Sequence, residues 1–177
     1  MATMSPPPEG MSPVREPGEL RRVFATFPSG VIAVCGVGDH GPVGMAASSF
    51  SSVSLDPPLV SICVARSSTT WPLLRDLGHL GVTIFSHDQE KACRQLAAKS
   101  TDRFAGLDWR STASGAVFLH PASAWLECDV EDSLPGGDHE IVLFRVLRTT
   151  RLEHPPLVFH GSRFRRLEAL VPEGLSA

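Results

Sequence analysis

From Val31 onward the chain is cut into apolar runs too short for helices, each closed by a Gly or Pro turn. Val31 to Val37 is a nearly continuous β-branched stretch, which Gly38, Asp39, His40, Gly41 and Pro42 turn into a second extended piece from Val43. Ser51 to Leu55 alternates polar and apolar residues, and after Asp56-Pro57-Pro58 the run Leu59 to Ala65 reads as a buried strand. His79 to Phe85, Ala124 to Val130, Glu140 to Leu152 and Leu157 to His160 continue the pattern, with Pro135-Gly136-Gly137-Asp138 as the turn between the middle pair. Apolar runs bounded by turn formers are strand signals. Three helices are expected. Leu20, Val23, Phe24 and Phe27 form an i, i+3, i+4, i+7 stripe that Pro28 and Gly30 stop; Thr69 to Leu77 is a second helix; and Ser86 with Gln89 makes a capping box for Gln89 to Ala98. Many short strands with few helices predict a mainly β (α+β) fold, a closed antiparallel barrel rather than a doubly wound parallel sheet.

A chain of 177 residues has room for one full core and not for two ordinary nucleotide-binding domains. The expected division is a disordered Pro-rich tail over 1–18, one domain over 19–168 and a flexible tail over 169–177. A formal charge of -3 gives no basic field for a phosphate backbone, which argues against nucleic acid as a partner. No apolar run approaches the roughly 20 residues of a membrane span, and residues 1–18 have no hydrophobic segment of a signal peptide, so a cytoplasmic location is expected. Cys35, Cys63, Cys93 and Cys128 sit apart in apolar segments without a CxxC pair. They read as buried free thiols, and no metal site is expected.

Three segments carry the candidate chemistry. Gly36-Val37-Gly38-Asp39-His40-Gly41 matches GxGxxG literally, but Pro42-Val43-Gly44 leads into another extended segment and not into the helix that a dinucleotide fingerprint must open. A hairpin turn is the expectation there. Arg66-Ser67-Ser68-Thr69-Thr70-Trp71-Pro72 passes from a strand into a helix start, where free N–H groups, three hydroxyls and a guanidinium could hold a phosphate; plain helix capping would need only one of those hydroxyls. Met45 to Ser52 is small and hydroxyl-rich, which suits close approach of a flat ligand and equally suits a solvent-facing loop.

Taken together, Phe27-Pro28-Ser29-Gly30-Val31, the stretch Ala46-Ala47-Ser48-Ser49-Phe50-Ser51-Ser52-Val53-Ser54-Leu55-Asp56-Pro57-Pro58-Leu59-Val60 and Gly137-Asp138-His139 resemble the short-chain flavin reductases, the reductase components of two-component flavin monooxygenases. The resemblance runs from about Leu20 to Leu167. It implies a split antiparallel β-barrel that forms a homodimer, binds FAD or FMN, and receives NADH or NADPH over the flavin ring. Reduced flavin would then pass to a partner monooxygenase. By the same resemblance Ala46, Ala47, Ser48 and Ser49 line the flavin, with Ser52 and Val53 close to its ring. Cys63, Val64 and Ala65 pass beside the ribityl chain, and Ser67, Ser68 and Thr69 meet the phosphate. Lys99, Arg103 and Phe104 stand where relatives place a basic residue and an Arg-Phe pair, and Phe164 stands where many carry Tyr. His139 matches the histidine placed near the nicotinamide; on its own, a histidine after a Gly-Gly-Asp turn reads equally as a surface residue. The same barrel class hosts oxidases of pyridoxamine-phosphate type and non-catalytic flavin-binding modules, so fold alone leaves those alternatives open.

Overall fold

A computed structural model describes residues 10–100 and 102–167. The tail expected over 169–177 lies outside these residues, as does the first half of the tail expected over 1–18. Helix α1, Pro17–Phe24, starts inside that N-terminal segment. The remaining elements follow in chain order: β1 Ser29–Gly30, β2 Ile32–Gly38, β3 Gly41–Ala47, β4 Ser51–Leu55, β5 Pro58–Ala65, α2 Trp71–Arg75, β6 Leu80–Phe85, α3 Glu90–Ala97, β7 Trp109–Ser111, β8 Val117–Leu119, β9 Ala122–Gly136, β10 His139–Arg151, β11 Leu157–His160 and β12 Arg163–Arg166.

Seven strands form one antiparallel sheet in the order β3-β2-β6-β9-β10-β5-β4. Its two edges, β3 and β4, are neighbours in sequence, joined only by Ser48, Ser49 and Phe50. Laid flat, strands about 4.8 Å apart would hold those edges about 29 Å from each other. The connection reaches at most about 14 Å, so the sheet must roll until its edges approach. The sequence patterning favoured a closed barrel, and here the structure differs: β3 and β4 share no ladder. The link leaves β3 as a free edge, which makes the sheet a split barrel. β1, β11 and β12 form a separate three-stranded sheet, and β7 with β8 a small hairpin.

Two apolar cores explain the residue patterns. One lies inside the roll, where Ile32, Val34, Val60, Ile62, Val64, Val82, Val142 and Phe144 converge with Trp71 and Leu74 of α2. The other lies outside β2 and β6, where α3, β8 and β11 bring Cys93, Leu96, Val117 and Leu157 onto Ala33, Cys35 and Phe85. β2 is covered on both faces and is therefore a continuous apolar run, whereas β5 alternates because only Val60, Ile62 and Val64 point inward. That alternation corrects one expectation: Cys35, Cys93 and Cys128 are buried, but Cys63 faces out.

Local signals placed several elements. The literal GxGxxG is the β2–β3 hairpin, Gly38 pairing with Gly41 around Asp39 and His40. Gln89 Oε1 accepts the Ser86 N–H at 2.9 Å, one half of the expected capping box, while Ser86 Oγ makes no return bond. The second helix is shorter than Thr69 to Leu77, because Ser67 to Thr70 form turns before Trp71. β1, β7, β8 and β12 are additions to the expected strands. Among the described residues no helix is long and apolar enough to cross a membrane.

Gly81 shows how tightly the outer core is closed, since a Cβ there would run into the backbone of Val117 on β8. Gly81→Ala is expected to cost about 1–3 kcal/mol through overpacking of a site that cannot yield. Thermal unfolding should register this as a fall of several degrees, and an unchanged melting temperature would contradict the packing described.

Candidate functional site

The link that rolls the sheet also builds the site. At its centre Ser49 Oγ accepts the Cys63 N–H at 2.9 Å and donates to the Cys63 carbonyl at 3.0 Å. Ser51 is the last residue of this end of β4 to pair with β5, opposite Ser61, so the Ser49 side chain replaces the missing strand partner two residues further along. Ser49 therefore serves the fold first. Ser48 beside it is exposed, and its hydroxyl makes no hydrogen bond to another described residue. On β4 the register shifts between Ser52 and Ser54, leaving Val53 in a bulge that turns Ser52 and Val53 to the surface.

β5 carries the next group. Cys63 and Ala65 reach the surface, whereas Val64 puts its side chain into the core and has only its backbone to offer a ligand. Ala65 pairs across the ladder with His139, the first residue of β10, and Arg66 N–H donates to the Asp138 carbonyl at 3.0 Å. The proposed phosphate loop and the histidine are thus fastened side by side. Gly137, with φ of 74°, makes the two-residue turn that sets His139 there. His139 Nδ1 lies 2.7 Å from Asp138 Oδ1, and this hydrogen bond holds the Asp138 carboxyl below the usual carboxylate range.

In the loop itself Ser68 Oγ accepts the Trp71 N–H at 3.1 Å and ties the loop to the first residue of α2. Ser67 and Thr69 stay exposed. Arg103 Nη1 donates to Thr70 Oγ1 at 2.7 Å and to the Gly44 carbonyl on the free edge of β3 at 3.3 Å. Gln95 Nε2 in turn donates to the carbonyls of Arg103 and Ala105 and fixes their loop. Phe104 is buried beneath it, edge-on to Trp109 at 6.3 Å, and its ring fills the space beside Gly44. Lys99 is exposed at the end of α3.

Two clefts flank this edge. One, of about 430 Å³, is floored by Ala46, Ala47 and Ser48 and walled by α3 and the β11–β12 hairpin, with Phe164 at its side. The other, of about 550 Å³, runs from Val43 and Gly44 to Thr69, Thr70 and Arg103. Both volumes suit small-molecule ligands, which generally occupy about 300–1,000 Å³. The structure thus gathers Ala46, Ala47, Ser48 and Phe164 in one cleft and Thr69, Arg103 and Phe104 in the other, with Cys63, Ala65 and His139 on the adjoining strand ends. Sequence reasoning missed Arg94 and Phe159, which line the first cleft. An i, i+4 pair with Glu90 was the only signal for Arg94, and such a pair reads as a solvated helix face.

A split antiparallel barrel with a free strand edge, exposed serines and two clefts of small-molecule size is the architecture of a split-barrel protein with room for a ligand. The chain belongs to the flavin reductase like domain family, which matches residues 24–168. It is 41% identical over 98% of its length, and 98% of the other chain, to an NADH-dependent FAD reductase of Streptomyces globisporus. It is 31% identical to HsaB, the reductase subunit of a flavin-dependent monooxygenase of Rhodococcus jostii, over 86% of this chain and 79% of that one. The solved structure of the Streptomyces globisporus C-1027 NADH:FAD oxidoreductase SgcE6, in complex with NAD and FAD fragments, superposes with a TM-score of 0.81 at 41% identity, covering 92% of this chain and 99% of that one.

Burial separates the four cysteines chemically. Desolvation pushes the Cys93 thiol up to about 11 and that of Cys128 up to about 12, and raises Cys35 beyond the range in which thiolates form. A thiol reagent should therefore modify one cysteine rapidly in the native protein and four after denaturation. Cys63→Ser should abolish the fast phase, and two or more fast thiols in the native protein would contradict the assigned orientation of β5.

Proposed function

We propose that the protein is an NAD(P)H-dependent flavin reductase that reduces FAD or FMN by hydride transfer and supplies the diffusible reduced flavin to a partner monooxygenase in the cytoplasm. The observation that carries this reading is full-length similarity to an NADH-dependent FAD reductase, without a large insertion or missing segment. Four free thiols suit a reducing compartment.

The residues present fit a flavin. Alanines at 46 and 47 leave the β3 backbone open to a flat ring, and Ser48, Ser52, Ser67 and Thr69 hold hydroxyls uncommitted to other described residues. When bound, the flavin supplies the hydride acceptor and NADH the donor, so no protein nucleophile is needed. The chain's work is positioning. Ala46, Ala47 and Ser48 set the ring against β3, Ser52 and Val53 border it from the β4 bulge, and Cys63 and Ala65 flank the ribityl chain with backbone support from Val64. Ser67, Ser68 and Thr69 meet the phosphate, with Lys99 and Arg103 as nearby cations. Phe104 shapes the floor from below, and Phe164 closes one side. His139, oriented through Nδ1 by Asp138, presents Nε2 to the nicotinamide and takes no proton. Holding two rings about 3–3.5 Å apart in reactive alignment accounts for much of the rate.

NADH oxidation followed with FAD, FMN and riboflavin in turn tests the activity, and absence of turnover with all three would overturn it. His139→Ala should raise the KM for NADH or lower turnover at a cost of about 1–3 kcal/mol, with flavin affinity nearly unchanged. Stopped-flow reduction at varied NADH measures this; wild-type rates would make His139 a bystander.

The second part of the proposal is a homodimer. Val23, Phe24 and Phe27 beside α1 are more than 60% exposed, and Val53 and Leu55 on β4 are bare as well. So much apolar surface on a single chain calls for cover, and the outer face of β10 at Ile141 extends it. Sedimentation should give a dimer at micromolar concentration, and a monomer there would remove this assignment.

A further inference from the structure

Arg103 is held at its tip and also at its backbone, by two different parts of the fold. At the tip, Nη1 donates to the Gly44 carbonyl at 3.3 Å and to Thr70 Oγ1 at 2.7 Å, bridging β3 and the residue before α2 across the cleft of about 550 Å³. Nε and Nη2 have no hydrogen-bond partner among the described residues. One nitrogen anchors the group and two remain for a ligand. At the backbone, the half-buried Gln95 of α3 donates from Nε2 to the Arg103 carbonyl at 3.1 Å and to the Ala105 carbonyl at 2.9 Å. Those carbonyls flank Phe104, whose N–H is accepted by Asp102 Oδ1 at 3.3 Å and whose buried ring fills the space beside Gly44. Arg103 therefore leaves from a fixed pivot. A glutamate of the same length would have no N–H to offer two carbonyls, so the amide is what this position needs.

The consequence lies in what an ordered guanidinium does for binding. Arginine loses rotamer freedom when it takes up an anion, and one that is already fixed loses less. Asp102 lines the same cleft and offsets part of the Arg103 charge. Placement of the guanidinium, more than net charge, then decides what binds beside Thr69. We propose that Gln95 is a positioning residue for phosphate recognition: it does not touch the flavin, and it holds Arg103 where a flavin phosphate meets the two free nitrogens. The proposal rests on the reading of the chain as a flavin reductase whose flavin phosphate lies by Thr69 and Arg103.

The probes are FMN and riboflavin, which differ only in the phosphate, each titrated into the ligand-free protein by quenching of flavin fluorescence. The wild type should prefer FMN, and Arg103→Met should weaken FMN about tenfold to a hundredfold, the loss expected for a charge-assisted hydrogen bond. Gln95→Met keeps the length of the side chain and removes both donations. It should weaken FMN about tenfold while riboflavin stays within about twofold of wild type. Because Gln95 acts through Arg103, the double variant should bind FMN no more weakly than Arg103→Met alone. In steady state Gln95→Met should raise the KM for FMN, with turnover at saturating FMN and the KM for NADH unchanged. Thr70→Val removes the anchor at the other end without touching α3, and should show the same split between FMN and riboflavin. Equal weakening of FMN and riboflavin in Gln95→Met would make the glutamine merely structural and overturn the proposal, as would wild-type FMN affinity or additive losses in the double variant. Should Gln95→Met not fold, wild-type FMN affinity in Thr70→Val overturns it instead. A wild type that prefers FMN and responds to these variants as described, yet oxidises no NADH, would overturn the reductase reading and leave the role of Gln95 standing.

Discussion

A connection of three residues between β3 and β4 is the constraint on which the rest of the structure depends. Strands at opposite ends of a seven-stranded sheet cannot be joined by Ser48, Ser49 and Phe50 unless the sheet rolls. Rolling creates the inner core, and β3, which shares no ladder with β4, is left as a free edge. The free edge is stabilised by side chains in place of a ladder: Ser49 on Cys63, and Arg103 on the Gly44 carbonyl. Every cleft in the candidate site opens along this edge. The family's most specific sequence stretch and the geometry that splits the barrel are therefore the same residues.

Stability and ligand recognition divide the serines between them. Ser49 and Ser68 resembled ligand contacts because they lie among hydroxyl-bearing neighbours, yet both have backbone partners, Cys63 and Trp71. Ser48, Ser52 and Ser67 remain uncommitted. A hydroxyl that satisfies an otherwise unpaired backbone group is worth about 1 kcal/mol to the fold, which gives it a structural reason to be there whether or not a ligand also touches it. Arg103 shows the same economy, spanning Thr70 and Gly44 and thereby holding the start of α2 against β3.

The basic side chains around the site are held in place by acids. Asp138 orients His139, Glu90 orients Arg94, and Asp88 pairs with Arg166 at 3.1 Å on the neighbouring hairpin. Exposed pairs of this kind contribute little to stability. Their value lies in fixing a long or rotatable side chain before any ligand arrives, which spares binding the entropy of ordering it. A rigid edge strand with preset polar groups suits a protein that must hold two flat rings in contact and then release one of them.

The sequence by itself determined the elements that depend on neighbouring residues. The β2–β3 hairpin follows from Gly38 and Gly41, α3 from the Ser86–Gln89 capping box, and β5 from the apolar run Leu59 to Ala65; the stretch Ala46 to Val60 also carried the family. Cys63 faces outward although the run Leu59 to Ala65 reads as a buried strand, because in the rolled sheet only Val60, Ile62 and Val64 point into the core. Only the tertiary structure decided whatever rests on distant partners. β1, β7, β8 and β12 are two to four residues long: β1 exists because β11, far along the chain, completes it, the β7–β8 hairpin because β8 packs on β2 and β6, and β12 because its hairpin with β11 packs on α3. The barrel proved open because no ladder joins β3 to β4, and pairing between sheet edges is settled only once the sheet has rolled in three dimensions. Arg94 looked like one half of a surface ion pair, and it became the cation of a cleft only when the fold laid Phe164, 70 residues later in the chain, beneath it.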